Sequence, residues 1–72
     1  MRRRIIMVET GQHYVQRFQE SARKEIWEVA SISSDTMQIQ HARLFKVSDR
    51  TDTKTLSCLA LDGKHGFSPT NQ

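Results

Sequence analysis

The sequence predicts an all-β chain, a four- or five-stranded antiparallel meander. Apolar and polar residues alternate at a two-residue period through residues 25–32, 37–47 and 55–61, the pattern of strands that bury one face. Ser33-Ser34-Asp35 and the Ser-Asp-Arg-Thr-Asp-Thr run at 48–53 separate these segments. Short Asp and Ser side chains bond their own backbone and favour chain reversal. Tyr14, Val15, Phe18, Ile26, Trp27 and Val29 extend the β-favouring composition upstream.

The first element covers residues 13–19. As a strand it sets Tyr14, Gln16 and Phe18 on one face. A competing reading is one helix over residues 11–30, which aligns Val15, Phe18, Ala22, Ile26 and Val29 in a stripe and pairs Glu20 with Lys24. The β-branched and aromatic content favours the strand. In residues 25–32, Trp27 and Val29 share one face, and Ile26, Ala30 and Ile32 the other. In 37–47, Met37 and Ile39 share a phase, Ala42 and Leu44 take the opposite one, and Phe45 and Val47 return to the first. A slip near Gln40-His41 is what a β-bulge produces, and bulges curl a small sheet towards a barrel. In 55–61, Leu56, Cys58 and Ala60 alternate with Ser57, Leu59 and Leu61. Asp62-Gly63 signals a tight turn that returns Phe67 to the sheet as a short last strand. The polar residues 68–72 are expected to fray after it.

At 72 residues there is room for one domain. It is expected as a basic N-terminal tail over 1–10, a β-domain over 11–67 and a C-terminal tail over 68–72. A domain this small buries only about 60% of its unfolded surface, so self-association into a homo-oligomer is one route to added stability. The single cysteine excludes an intrachain disulfide. The longest apolar runs, 5–8 and 58–61, fall far short of the ~20 residues of a membrane helix and the ~7–15 of a signal-peptide core. The expectation is a cytoplasmic protein with no membrane partner. Met7 is a second candidate start, which would make the preceding arginines incidental.

Net charge is +3. Of eleven Lys and Arg residues, three are Arg2, Arg3 and Arg4, which leaves eight basic residues against eight acidic ones in the body. Any pull on a polyanion must come from the tail or from sorting of charges on the fold.

The spacing Tyr14, Trp27-Glu28-Val29, Ile32, His41-Ala42-Arg43-Leu44 and Lys54-Thr55-Leu56-Ser57 looks like that of a small SH3-like barrel. It resembles short bacterial proteins of unknown function built on that plan. The resemblance spans about residues 11–67 and is a pattern of apolar spacing. It implies a scaffold and transfers no active site.

Candidate sites are few. Arg2-Arg3-Arg4 is shorter than the usual basic patch of about 5–8 residues. Its plainer reading is a solvated terminus. Tyr14, Phe18 and Trp27 are interleaved with Arg17, Arg23 and Lys24. Exposed, such rings stack bases beside a basic groove or line a peptide groove. A chain with five aromatic residues needs most of them in its core, which is the expectation for Trp27 and Phe18. Tyr14, with its hydroxyl, suits a half-buried rim. His13, His41, His65 and Cys58 match no zinc spacing, so no metal and no cofactor is expected. His41 is either a pH-sensitive contact or a plain outward polar side chain. Gly63-Lys64-His65-Gly66 has the spacing of a KH-domain loop but follows a strand, and reads as a turn. Glu25 and Glu28 lie three apart, on opposite faces of a strand, and are no catalytic pair.

These features point to a non-enzymatic binding or adaptor module. The neutral body favours a protein or peptide partner. The alternative is a small nucleic-acid-binding domain using Arg2, Arg3, Arg4, Arg17, Arg23, Lys24 and a stacking Tyr14. A continuous basic stripe on the folded surface would favour the second, and mixed charge the first.

Overall fold

Five strands follow one another in a computed structural model that describes residues 8–18, 20–61 and 66–71. They are β1 (His13–Arg17), β2 (Lys24–Ser34), β3 (Gln40–Lys46), β4 (Asp49–Ser57) and β5 (Phe67–Thr70), with a 3-10 turn (Cys58–Leu61) after β4. Every pairing is antiparallel, in the order β4-β3-β2-β1-β5. The first four strands form a meander, and β5 returns to the free edge of β1. The 3-10 turn packs against β3, β4 and β5, so it reaches across both edge strands as the sheet curls into a barrel-like meander. The helix over 11–30 does not form: Tyr14 pairs with Trp27 and Val15 with Ile26 across a β1–β2 hairpin.

Register decides which residues face inwards, because cross-strand partners share a face. Tyr14 opposes Trp27, Val29 opposes Leu44, and Ala42 opposes both Ile32 and Leu56. With Cys58, Leu61 and Phe67 the buried members of this set form the core, and Val8, Ile32 and Leu56 pack at its margin. Burying each Val, Leu or aromatic side chain contributes about 1.5–3 kcal/mol. Trp27, at 2% exposure, is as buried as expected.

The bulge sits elsewhere than predicted. The register shifts between Val29 and Ser31, so Ala30 is the extra residue. It moves Ile32 to the core face, where strict alternation had set it opposite Trp27. The slip near Gln40-His41 marks a strand boundary instead. Met37 and Ile39 belong to the β2–β3 turn, where their amides donate to the Asp35 carboxylate at 2.8 and 3.0 Å and Gln38 takes a positive φ of 62°.

Two further elements differ from expectation. The segment 55–61 leaves the strand at Ser57. In a 3-10 turn, side chains three apart eclipse, which is why Cys58 and Leu61 are both buried while Leu59 stands 67% exposed. The predicted six-residue turn at 48–53 shrinks to Val47-Ser48, with β4 starting at Asp49. Its turn chemistry survives as a register shift between Phe45 and Lys46, around an Asp49 carboxylate that accepts from the Thr51 hydroxyl at 2.6 Å. The tail expected to fray after Phe67 is instead strand β5, which pairs with β1 as far as His13 opposite Thr70.

Candidate functional site

The open end of the inner face carries a cluster around Trp27. Gln16 Oε1 accepts from Trp27 Nε1 at 3.1 Å and from Lys54 Nζ at 3.4 Å. The Lys54 ammonium lies 4.4 Å from the Trp27 ring centroid and 5.6 Å from that of Phe67. Lys46 lies 5.6 Å from the Trp27 ring and pairs with Asp52 at 3.0 Å and Glu25 at 3.8 Å. Arg23 pairs with Glu25 at 2.8 Å. The Arg23 hydrogen bond holds Glu25 below the usual carboxylate range, and the bond to Asp52 pushes Lys46 up. This cluster closes the Trp27 end of the core with three cations and two carboxylates, Lys54 being held by Gln16 and two rings in place of a carboxylate.

The outer face is composed differently. In β1 the residues alternating with Tyr14 are His13, Val15 and Arg17, which oppose Glu28, Ile26 and Lys24 of β2. Glu28 in turn opposes Phe45 of β3, and Arg43, two residues away on the same face, opposes Ser31 and Thr55. Arg50 places its guanidinium 4.8 Å from the Phe45 ring centroid, so it joins this face. Glu28 is tied to His13 Nε2 at 2.9 Å. Arg17, Lys24, Arg43 and Arg50 form no ion pair among the described residues. Ser31, Thr53, Thr55, Ser57, Ser68 and Thr70 share the face by register. Lys24 and Arg43 stand three side-chain rows apart, about 20 Å at roughly 6.6 Å per row.

The residues singled out in the sequence divide between these settings. Arg17 and Lys24 come together as direct cross-strand partners. Arg23 lies on the other side of the hairpin, with its guanidinium 5.4 Å from the Phe18 ring. Phe18, expected in the core, is 36% exposed, because β1 ends at Arg17 and leaves it at the hairpin tip. Tyr14 is 1% exposed, and its hydroxyl donates to Gln12 Oε1 at 3.1 Å. It is sealed in the core and unavailable for stacking on a base. Burial pushes its hydroxyl pKa up. Arg2, Arg3 and Arg4 lie outside the described residues, as do Asp62, Gly63, Lys64 and His65.

His41 faces Asp35, with Nε2 3.0 Å from Oδ2, and that bond holds Asp35 below the usual range. Cys58 is buried and its thiol is pushed up by burial, the setting of an unreactive cysteine. Glu25 and Glu28 point to opposite faces, towards Arg23 and His13 respectively. Among the described residues no group of three His, Cys, Asp or Glu side chains converges to hold a metal, and no helix is long and apolar enough to cross a membrane. Sequence reasoning missed Arg43 and Arg50. Arg43 was within reach, since it alternates with the core residues Ala42 and Leu44. Arg50 was not, because its place depends on the irregular start of β4. No family model, curated protein or solved structure matches the chain.

Proposed function

We propose that the chain is a non-enzymatic binding module that engages nucleic acid through the outer face of its sheet. The observation that carries this reading is the sorting of charge. Arg17, Lys24, Arg43 and Arg50 share that face with two carboxylates, Glu28 and Asp35, which His13 and His41 already engage. Eight basic and eight acidic residues look balanced in a count, and from that balance a protein or peptide partner is expected. Of the other described acidic residues, however, Glu9 and Glu20 lie outside the strands, Glu25 and Asp52 belong to the Trp27 cluster, and Asp49 is bonded to Thr51 at the start of β4. Arginine, lysine and hydroxyl side chains are the usual partners of phosphate oxygens. The Arg50 guanidinium lies over the Phe45 ring and leaves its own planar cationic group outermost.

The strand order and the 3-10 turn before the last strand support the small SH3-like barrel suggested by the apolar spacing. Among the described residues Cys58 is buried, and the contacts that the rings of His13 and His41 make with Glu28 and Asp35 involve no hydroxyl or thiol nucleophile.

The test is a salt titration of oligonucleotide binding. Four phosphate contacts give a log–log slope of roughly −3 for a single strand. Replacing Arg43 and Arg50 with glutamine in the full chain should lower the slope by about 1.4. Replacing Arg2, Arg3 and Arg4 should leave most of the affinity in place. Binding that vanishes with the tail substitutions and ignores Arg43 and Arg50 would overturn this reading.

One observation favours the protein or peptide reading. Strand β4 is nine residues long and lies at the sheet edge, where an extended peptide adds by backbone hydrogen bonds. Such binding would be insensitive to Arg17 and Lys24.

A further inference from the structure

The β1–β2 hairpin holds a local conflict that packing does not explain. Arg17 and Lys24 are direct cross-strand partners on the outer face, and like charges directly opposite each other destabilise a sheet. Neither has a carboxylate partner among the described residues. One row further along, Val15 opposes Ile26, and the Val47 amide donates to the Ile26 carbonyl at 2.9 Å. Between β2 and the β3–β4 turn lies a depression of about 250 Å³ lined by Lys24, Glu25, Ile26, Val47 and Ser48. Its apolar wall is open to solvent, with Val47 45% exposed. The one acidic side chain at its rim, Glu25, is engaged by Arg23 and Lys46.

An apolar seat beside two unneutralised cations fits a ligand that is flat and apolar in one part and anionic in the next. A nucleotide within a single strand has that constitution. A base inside a duplex is stacked and paired, and reaches such a seat only by leaving the helix. We propose that the protein takes single-stranded in preference to duplex nucleic acid, seating one unpaired base against Ile26 and Val47 while Arg17 and Lys24 hold the flanking phosphates. This rests on the nucleic-acid reading and specifies its substrate. The repulsion between the two cations is relieved when phosphate binds, so the conflict in the free hairpin becomes binding energy in the complex.

The experiment is fluorescence anisotropy on the full chain with three probes: an oligothymidylate of about 12 nucleotides, an abasic strand of the same length, and a duplex. Ile26 and Val47 offer a base an aliphatic wall, and covering about 40 Å² of apolar surface at about 25 cal/mol per Å² changes affinity roughly fivefold. The oligothymidylate should therefore bind roughly fivefold more tightly than the abasic strand, and more tightly than the duplex. Val47→Ser, a surface substitution with little expected effect on folding, should bring oligothymidylate down towards the abasic level and leave the duplex unchanged. Equal affinity for oligothymidylate and abasic strand, or indifference to Val47→Ser, would overturn the base seat while leaving phosphate binding intact. Absence of binding to all three probes at about 50 mM salt would overturn the nucleic-acid reading itself.

Discussion

Inside the curl of the sheet, Lys46 lies 3.0 Å from Asp52, Arg23 lies 2.8 Å from Glu25, and Lys54 sits over the Trp27 ring. On the outside, Arg17 and Lys24 oppose each other, Arg43 stands between Ser31 and Thr55, and Arg50 covers Phe45. The two faces draw on similar side chains and arrange them differently. The inner cluster adjoins the core, where an unmatched charge would be costly to desolvate, so its cations have partners. On the outer face Val15 is buried at 5% exposure, but Arg17, Lys24, Arg43 and Arg50 are exposed to water, where an unmatched charge costs little, and there the cations are left available. Residual charge therefore marks the side of the sheet on which folding imposes no demand for pairing.

The largest expected effect separates the faces by stability. Trp27→Ala removes a buried ring together with its bond to Gln16, and should cost about 3–5 kcal/mol. A domain of this size has on the order of 5 kcal/mol in all, so the variant should be largely unfolded at room temperature. Arg43→Ala should stay within about 0.5 kcal/mol of the parent. Urea unfolding followed by Trp27 fluorescence for Arg43→Ala, and by circular dichroism for both, checks this. Comparable losses from the two substitutions would erase the distinction between the faces.

Acid should act through the carboxylates that have partners. Glu25, Asp35 and Asp49 are each held below their ordinary range, by Arg23, His41 and Thr51 respectively. A carboxylate depressed on folding adds stability above its unfolded pKa of about 4 and loses it as pH falls through the lower folded value. Stability should therefore decline below about pH 4. Glu25→Gln should flatten part of that decline, whereas Arg43→Ala should leave it unchanged. Urea midpoints measured across this range decide the matter, and a midpoint that holds steady or rises on acidification would contradict it.

The legible parts of the fold follow the same division. Alternation located β1 and β2, and the aromatic content identified Trp27 as core, because a buried face imposes a two-residue period. That period also misled wherever the chain left regular strand. Asp35 draws the Met37 and Ile39 amides into a turn, which an apolar count reads as a phase slip. Cys58 and Leu61 reach the same core from a 3-10 turn, which a strand template assigns to opposite faces. Phe18 lies beyond the sheet because β1 ends one residue before it, and Tyr14 lies in the core because the hairpin register sets it opposite Trp27. The basic face was hidden for a different reason. Arg17 and Lys24 meet only through the hairpin register, and Arg50 joins them through the irregular start of β4.

The smallest expected change in stability bears most directly on why the outer cations stand unpaired. Arg17→Glu turns the like-charged cross-strand pair with Lys24 into an opposite-charged one. A cross-strand pair of this kind contributes roughly 0.2–1 kcal/mol, and an exposed pair lies at the lower end of that range. The variant should therefore be slightly more stable than the parent in low salt, with the gain shrinking as salt screens it. Its affinity for single strands should nevertheless fall, because it loses one phosphate contact and presents a carboxylate to the backbone. Thermal melts and anisotropy on the same preparations test both halves. A chain that gains stability while losing affinity has kept the Arg17–Lys24 conflict for its ligand. If Arg17→Glu destabilises the fold, or binds as the parent does, the conflict has some other origin, and the outer face carries its charge for a reason unconnected with nucleic acid.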